Sequence, residues 1–398
     1  MDILKEVFEG VLYFGIEDNW KALIMYVIGG VLIYLAIKKN YEPALLLPIG
    51  FGAILVNLPF NIVGIVTEFV GGEMAANGEV GFLEVLRSAG ISTELFPILI
   101  FIAIGAMIDF TPLFKNPFMI FFGAAAQLGI FITFIITLLI LPRLGIEGAE
   151  ALKLSAAVGI IGAADGPTTI YVGNHFNLID YMGPISVAAY SYMSLVPIIQ
   201  PPVIRALTSK KERMIRMDYH EESVPKLVKI LFPIIVTIIA GVLVPMSAPL
   251  VGSLMFGNLI RECGVLERLS QSAQNELANL VTLLLGITIG STMLADKFIN
   301  PVTGLILLLG LFAFIFDTAG GVLFAKFLNL FLKKKVNPMI GAAGISAFPM
   351  SARVVQKMAK EEDPTNFILM QAISANVSGQ LGSIVAGGLV IALVNILL

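Results

Sequence analysis

The stretch from Gly159 to Tyr171, GIIGAADGPTTIY, decides how this chain is read. Its surroundings are apolar, yet it places an acid, Asp165, between Gly162-Ala163-Ala164 and Gly166-Pro167. Proline withholds a backbone donor and glycine permits unusual dihedrals, so a helix entering this stretch breaks and leaves carbonyls free for a ligand. Thr168 and Thr169 add hydroxyls, and Tyr171 a phenol. A carboxylate among neutral oxygens suits a small, hard cation better than nitrogen or sulfur ligands would. The same residues are good N-cap grammar, with Asp165 and Pro167 opening a half-helix. The two readings are compatible.

Outward from this motif the chain is oily. Of its 398 residues 57% are hydrophobic and only 13% charged, against about 25% charged in a soluble chain. Mean hydropathy is +0.92. Windows such as Met119 to Leu141 and Val302 to Phe324 reach the roughly 20 residues that cross about 30 Å of hydrocarbon. They are continuously apolar, which indicates helices rather than barrel strands. An ionisable group inside a bilayer costs about 2.5–3.5 kcal/mol, so Asp165 is a functional hypothesis from the outset. A net charge of -3 points to no nucleic-acid partner. A single cysteine, Cys263, excludes an internal disulfide and a cysteine-based zinc site. Residues 1–21 lack a basic segment leading into an apolar core and are read as an interfacial helix, not a cleaved signal.

The chain is also written twice. IGAMIDFTPLFKNP from Ile104 matches IGSTMLADKFINP from Ile289, AADGPTTIYV from Ala163 matches SAFPMSARVV from Ser346, and LLPIGFGAILVN from Leu46 weakly matches APLVGSLMFGNL from Ala248. The order is the same in both halves, which predicts repeat units at 22–206 and 229–396, joined by a basic cytoplasmic loop at 207–228. Each unit holds five crossings and one Gly/Pro-broken segment, at 151–178 and 337–360, read as re-entrant hairpins. An odd number of crossings inverts one unit relative to the other, as in many transporters. The expected fold is therefore an all-α polytopic membrane protein with an inverted repeat, about ten transmembrane helices, and two hairpins whose tips meet near the midplane. Most Lys and Arg near span ends then fall on the cytoplasmic side, with Arg143 and Lys297 as exceptions.

Other polar residues join the hypothesis. In the second broken segment the turn Ser346 to Ser351 keeps the break and lacks the acid, and Arg353 follows; it could hold an anionic group, a structural partner, or snorkel. Tyr190-Ser191-Tyr192 lies deep in the last span of the first unit. In the last span of the second, Asn376, Gly379 and Ser383 share a face, with Ser378 nearby. Close helix packing explains the glycines well and Asn376 poorly. Asp109, Asp296 and Asp317 fall at or near predicted span ends, where a turn or solvation is the simpler reading, although Asp317 could lie deeper.

GIIGAADGPTTIY, VAAYSYMSLVPIIQPP from Val187, SANVSGQLGS from Ser374, EPALLLPIGFG from Glu42 and FGNLIRECGVLERLS from Phe256 occur in one order along essentially the whole chain. Together they resemble the beta subunit of the sodium-pumping, biotin-dependent decarboxylases acting on oxaloacetate, methylmalonyl-CoA or glutaconyl-CoA. The family motif is usually GGADGP, and Ala163 stands where its second glycine often does. The resemblance implies a subunit that decarboxylates carboxybiotin from a separate carrier, takes up a proton, and couples this to Na+ export. It implies Asp165 as the Na+ ligand that also handles protons, Tyr192 as a proton donor and Asn376 with Ser383 as site residues of the second helix; Thr168, Thr169 and Ser378 join the candidate Na+ set, and Arg353 the candidate catalytic and carboxybiotin-binding residues, from the reading of the residues above. Implied partners are a carboxyltransferase alpha subunit, a biotin carrier, a small gamma/delta membrane subunit, lipid, and further copies of the chain, in the cytoplasmic membrane of a bacterium. No lysine here stands in the Met-Lys-Met setting of a biotin carrier, so biotin must arrive in trans. The alternative from another class is a secondary sodium-coupled carboxylate transporter, because fold alone does not fix function.

Overall fold

Uninterrupted apolar runs fold as helices, and the two runs rich in Gly and Pro fold as shorter helices around a break. The structure is a computed structural model that describes residues 9–15, 17–70, 73–217 and 223–398. In chain order the principal helices are α1 (Lys21–Lys39), α2 (Pro43–Val56), α3 (Leu95–Met107), α4 (Ile120–Ala126), α5 (Leu128–Ile140), α6 (Gly148–Ile160), α7 (Gly166–His175), α8 (Met182–Ser194) and α9 (Val196–Leu207). They continue with α10 (Lys226–Leu243), α11 (Ala248–Glu262), α12 (Ala278–Ser291), α13 (Pro301–Phe331), α14 (Met350–Glu362) and α15 (Leu369–Leu397). Among the described residues five helical stretches are long and apolar enough to cross a membrane, and up to seven if two bent pairs each count as one span. One bend, of 69°, falls at Leu195, where Pro197 in the first turn of α9 removes a donor and redirects the chain. The protein is a helical membrane protein.

One small sheet accompanies the helices. The chain is not purely helical: β1 (Ile65–Val70) and β2 (Glu73–Val80) form an antiparallel hairpin with Val70 opposite Glu73 and Thr67 opposite Ala76. The Ile, Val and Thr of β1 favour strand, and the hairpin fills the segment between α2 and α3 that hydropathy leaves unassigned. The interfacial helix expected at 1–21 lies partly outside the described residues; its described part is a one-turn helix, Glu9–Leu12, and the tight turns Tyr13–Gly15 and Glu17–Trp20.

Packing between the two halves is reciprocal. α2 lies against α12 so closely that a Cβ at Gly52 would sit 2.4 Å from Ile287 O, and one at Gly290 2.4 Å from Ile49 O. α3 lies against α11 in the same way: a Cβ at Gly105 would meet Leu254 O at 1.9 Å, and one at Gly257 would meet Ile102 O at 2.0 Å. Each contact ends in an asparagine that caps the facing helix. Asn57 Nδ2 donates to Met293 O at 2.7 Å, and Asn258 Nδ2 donates to Ile108 O at 3.0 Å. Met293 and Ile108 are the same position of the repeated IGxxx motif. Around this frame α13 and α15 run through the interior, while α10 is the most exposed of the long apolar helices. The end of α9 and the basic loop after it are tied to the end of α14, through Arg205 to Glu361, Arg213 to Glu362 and Arg216 to Asp363.

This packing has a direct test in thermal unfolding. Gly105→Ala forces a Cβ into a backbone carbonyl and should lower stability by about 1–3 kcal/mol, the usual effect of overpacking. Gly30→Ala, with nothing within 4 Å, should melt as the wild type does; equal curves for both would contradict the close approach.

Candidate ion-binding site

The site begins where α6 gives way. Its last turn tightens over Ile161–Ala163, Ala164 takes a left-handed φ of 54°, and Asp165 becomes the N-cap of α7, with Pro167 in the first turn. A non-glycine residue in the left-handed region costs roughly 1–2 kcal/mol, so packing must hold this turn in place. Asp165 Oδ1 accepts the Thr168 amide at 3.3 Å, and Thr169 Oγ1 donates to the Asp165 carbonyl at 2.8 Å. Capping therefore uses one oxygen of the carboxylate and leaves Oδ2 for other work.

Oδ2 is met from the other half of the chain. The second broken segment runs from the short helix Met339–Ala342 to α14, and its Ser346 N donates to Ala163 O at 3.0 Å, so the two breaks touch backbone to backbone. Ser346 Oγ then donates to Asp165 Oδ2 at 3.1 Å. From α15, Ser383 Oγ lies 2.7 Å and Gln380 Nε2 3.0 Å from the same oxygen. Ser383 Oγ is also 3.1 Å from Ser346 Oγ, and its one proton can serve only one acceptor at a time. α15 reaches this depth because it is glycine-lined: a Cβ at Gly379 would stand 2.1 Å from Gly344 O. Asn376, one turn before Gln380, donates to Ile345 O at 2.7 Å and leaves its Oδ1 buried without a partner, as is Thr168 Oγ1.

The arrangement suits a small cation. Two hydroxyls can rotate to present lone pairs, and an amide can turn its oxygen inward, so the groups that satisfy an empty carboxylate can also ligate an ion beside it. Among the described residues no three His, Cys, Asp or Glu side chains gather as a metal cluster, leaving one carboxylate among neutral groups. The adjoining cavity, lined by Asp165, Gly166, Ser346, Phe348 and Gln380, measures about 90 Å³. That is well below the roughly 300–1,000 Å³ of sites for small organic molecules and of a size for an ion with water.

The sequence-selected residues separate here. Asp165, Thr168, Thr169 and Ser383 belong to the cluster, and Asn376 holds the second break. Ser378 points elsewhere, donating to Ile120 O at 2.9 Å and anchoring α4. Tyr192 donates to Leu307 O on α13, away from the carboxylate. Arg353 lies exposed on α14, in an open cleft of about 460 Å³ with Gln356, Lys357, Lys360, Leu369 and Glu361, the last paired with Arg205. Three participants were not chosen as site residues: Gln380, and Ser346 and Tyr190, which were noted only as members of their motifs. Gln380 lies on the Asn376 to Ser383 face, four and three residues from them, a spacing that could have found it. Tyr190 is fully buried with its hydroxyl unpartnered, its ring lying where a Cβ on Gly166 would be, at 2.2 Å. Asp109 accepts the Thr111 amide at 2.8 Å, the turn role expected of it. Asp317 differs: it is wholly buried near the middle of the 31-residue α13, because the apolar run continues well past it.

Comparison with known proteins shows the family. Residues 21–394 match the family described as Na+-transporting oxaloacetate decarboxylase beta subunit. The chain is 46% identical over 387 residues to methylmalonyl-CoA decarboxylase subunit beta of Propionigenium modestum, covering 94% of this chain and 95% of that protein. It is 48% identical over 372 residues to the corresponding subunit of Veillonella parvula, covering 94% and 93%. It is 45% identical over 416 residues to the probable oxaloacetate decarboxylase beta chain of Vibrio cholerae, covering 94% and 95%.

Two neighbours on α15 separate site from scaffold. Asn376→Ala removes the amide holding Ile345 and a buried free oxygen, an effect of about 1–3 kcal/mol, and should raise the Na+ concentration for half-maximal thermal stabilisation roughly tenfold or more. Ser378→Ala should leave that concentration within about twofold, because its hydroxyl serves only Ile120 O. The reverse ranking would contradict the assignment.

Proposed function

The chain belongs to the beta-subunit family of the Na+-transporting decarboxylases, and from that premise we propose that it binds Na+ at Asp165 and exports it as carboxybiotin is decarboxylated at its cytoplasmic face. The observation that carries the proposal is the convergence of Ser346, Gln380 and Ser383 on Asp165 Oδ2. It is supported by the small volume of the cavity beside Asp165 and by the decarboxylase names of the relatives. Thr168, Thr169 and Asn376 would complete the ion's surroundings; Ser378 would act through α4.

Carboxybiotin, when delivered, supplies a carboxylate whose loss as carbon dioxide takes up a proton and releases the free energy for transport. The Asp165 cavity is too small for it. The Arg353 cleft is open, cationic and of the volume usual for small-molecule sites, roughly 300–1,000 Å³. Arg353 would hold the carboxylate by a planar, charge-assisted contact. Arg353 and Ser346 belong to the same broken segment, so a shift of that segment changes the donors around Asp165. A buried carboxylate holds Na+ or a proton but not comfortably both, so protonation would release the ion. Tyr192 is the proposed relay for that proton, after release of its bond to Leu307 O. Moving one charge against 100 mV requires about 2.3 kcal/mol, which decarboxylation has to exceed for each ion moved.

The proposed architecture has ten crossings in two inverted units, with the broken segments as re-entrant hairpins; the reciprocal Asn57 and Asn258 caps support it. The complex would include a carboxyltransferase alpha subunit, a biotin carrier, a small gamma/delta subunit and further copies of this chain, in the cytoplasmic membrane of a bacterium. A secondary carboxylate transporter would need room for an organic anion between the breaks, and about 90 Å³ does not provide it.

The test is sodium-dependent decarboxylation of added carboxybiotin by the purified complex in membranes. Asp165→Asn should abolish both this activity and Na+ transport. Arg353→Ala should raise the KM for carboxybiotin at least about tenfold, for a lost charge-assisted contact of about 1.5–3 kcal/mol, with Na+ binding intact. Decarboxylation at the wild-type rate without sodium would sink the proposal.

A further inference from the structure

Gln200 of α9 is a buried amide that neither the ion cluster nor the Arg353 cleft uses. Its side chain is wholly buried, although Ile199 precedes it and Pro201-Pro202 follow it. Nε2 donates to Ala342 O at 2.8 Å, at the end of the short helix Met339–Ala342, and to Ser351 Oγ at 2.9 Å, in the first turn of α14. Those two residues flank the second break, and Ser346 stands between them. Ser351 Oγ is itself 3.0 Å from Ala342 O and 3.0 Å from Gln200 Oε1, and its one proton can serve only one of them.

Satisfying the break does not account for this amide. Ser351 alone can donate to Ala342 O, so an apolar residue at position 200 would leave that carbonyl paired. What only Gln200 supplies is a tie from α9 to both edges of the break. Its centre is held separately by α15, through the bond from Asn376 to Ile345 O and the close approach of Gly379 to Gly344. α9 also grips α14 near its far end, where Arg205 pairs with Glu361, and Arg353 lies between the two ties. Across the 69° bend at Leu195, α9 continues α8, which sets the Tyr190 ring against Gly166 beside Asp165. One bent span thus touches the first break with one arm and the second break with the other.

We propose that Gln200 is a positioning residue that couples the two breaks. It holds the edges of the second break so that Ser346 meets Asp165, and it carries a shift of α14, when an anionic group engages Arg353, to the ion site. The proposal rests on the functional reading above. It makes Na+ dependence and coupling, and not the binding of carboxybiotin, the properties that Gln200 sets.

The test uses the purified complex in membranes, with decarboxylation of carboxybiotin and Na+ transport measured together. Gln200→Met is of similar size and removes both ties. It should raise the Na+ concentration for half-maximal activity about tenfold, as for a lost buried hydrogen-bonded tie, with KM for carboxybiotin within about twofold of wild type. The Na+ moved per carbon dioxide released should fall. Ser351→Ala should act in the same direction, and the double variant should match Gln200→Met, because the two side chains form one clamp. If Gln200→Met does not fold, Ser351→Ala carries the same expectations. A packing role alone would lower the unfolding temperature and leave the Na+ dependence unmoved. Wild-type Na+ dependence, a wild-type transport ratio, or an equal rise in KM for carboxybiotin overturns the role of Gln200 and leaves the functional reading standing. Decarboxylation by the wild type that needs no Na+ overturns both.

Discussion

The packing around the two breaks depends on satisfying one buried carboxylate, Asp165, in an apolar interior. With no bulk water in the hydrocarbon to hydrate it, Asp165 has to find its donors within the protein. Its own helix supplies the Thr168 amide, and the remaining donors come from segments some 180–220 residues away in the chain. The donors Ser346, Gln380 and Ser383 reach Oδ2 only because the two breaks touch through Ser346 N and Ala163 O and because α15 packs backbone to backbone at Gly344 and Gly379. The reciprocal frame of α2 with α12 and α3 with α11 fixes the halves closely enough for those bonds to form. The local strain at Ala164 is held by the same contacts.

The second broken segment links two sites of different size. Its break meets the ion-sized cavity, and its emerging helix α14 presents Arg353 to a cleft about five times larger. Gln200 of α9 ties the segment at both ends of the break, donating to Ala342 O at 2.8 Å and bonding Ser351 Oγ at 2.9 Å. Three ion pairs from the 205–216 stretch hold the far end of α14. In the functional reading, an anionic group engaged at Arg353 acts on Ser346 through less than two turns of chain.

How much of this was legible in the sequence follows from what each signal measures. Hydropathy found the long runs, and Gly/Pro content found both breaks, because those signals are local. N-cap grammar at Asp165-Gly166-Pro167 placed the acid correctly for the same reason. The β1–β2 hairpin was missed because it is short and carries no strong alternation. Gln380 and Tyr190 were missed because their roles depend on which face of a helix meets a segment far away in sequence, and Ser378 was drawn in by proximity along the chain while its side chain turns toward Ile120. Asp317 was read as near a span end; in the fold the helix runs from Pro301 to Phe331, and Gly321 admits neighbouring backbone, with a Cβ there only 2.0 Å from Gly341 O.

The central claim is that groups from both breaks and α15 surround the transported ion at Asp165. Locating the ion directly, by comparing high-resolution density of the complete complex in sodium-rich and sodium-free conditions, tests it most sharply. The account expects an added peak against Asp165 Oδ2, with the Ser346 and Ser383 hydroxyls and the Gln380 amide oxygen turned toward it. A sodium peak elsewhere, with the four side chains around Asp165 Oδ2 identical in both conditions, would contradict it.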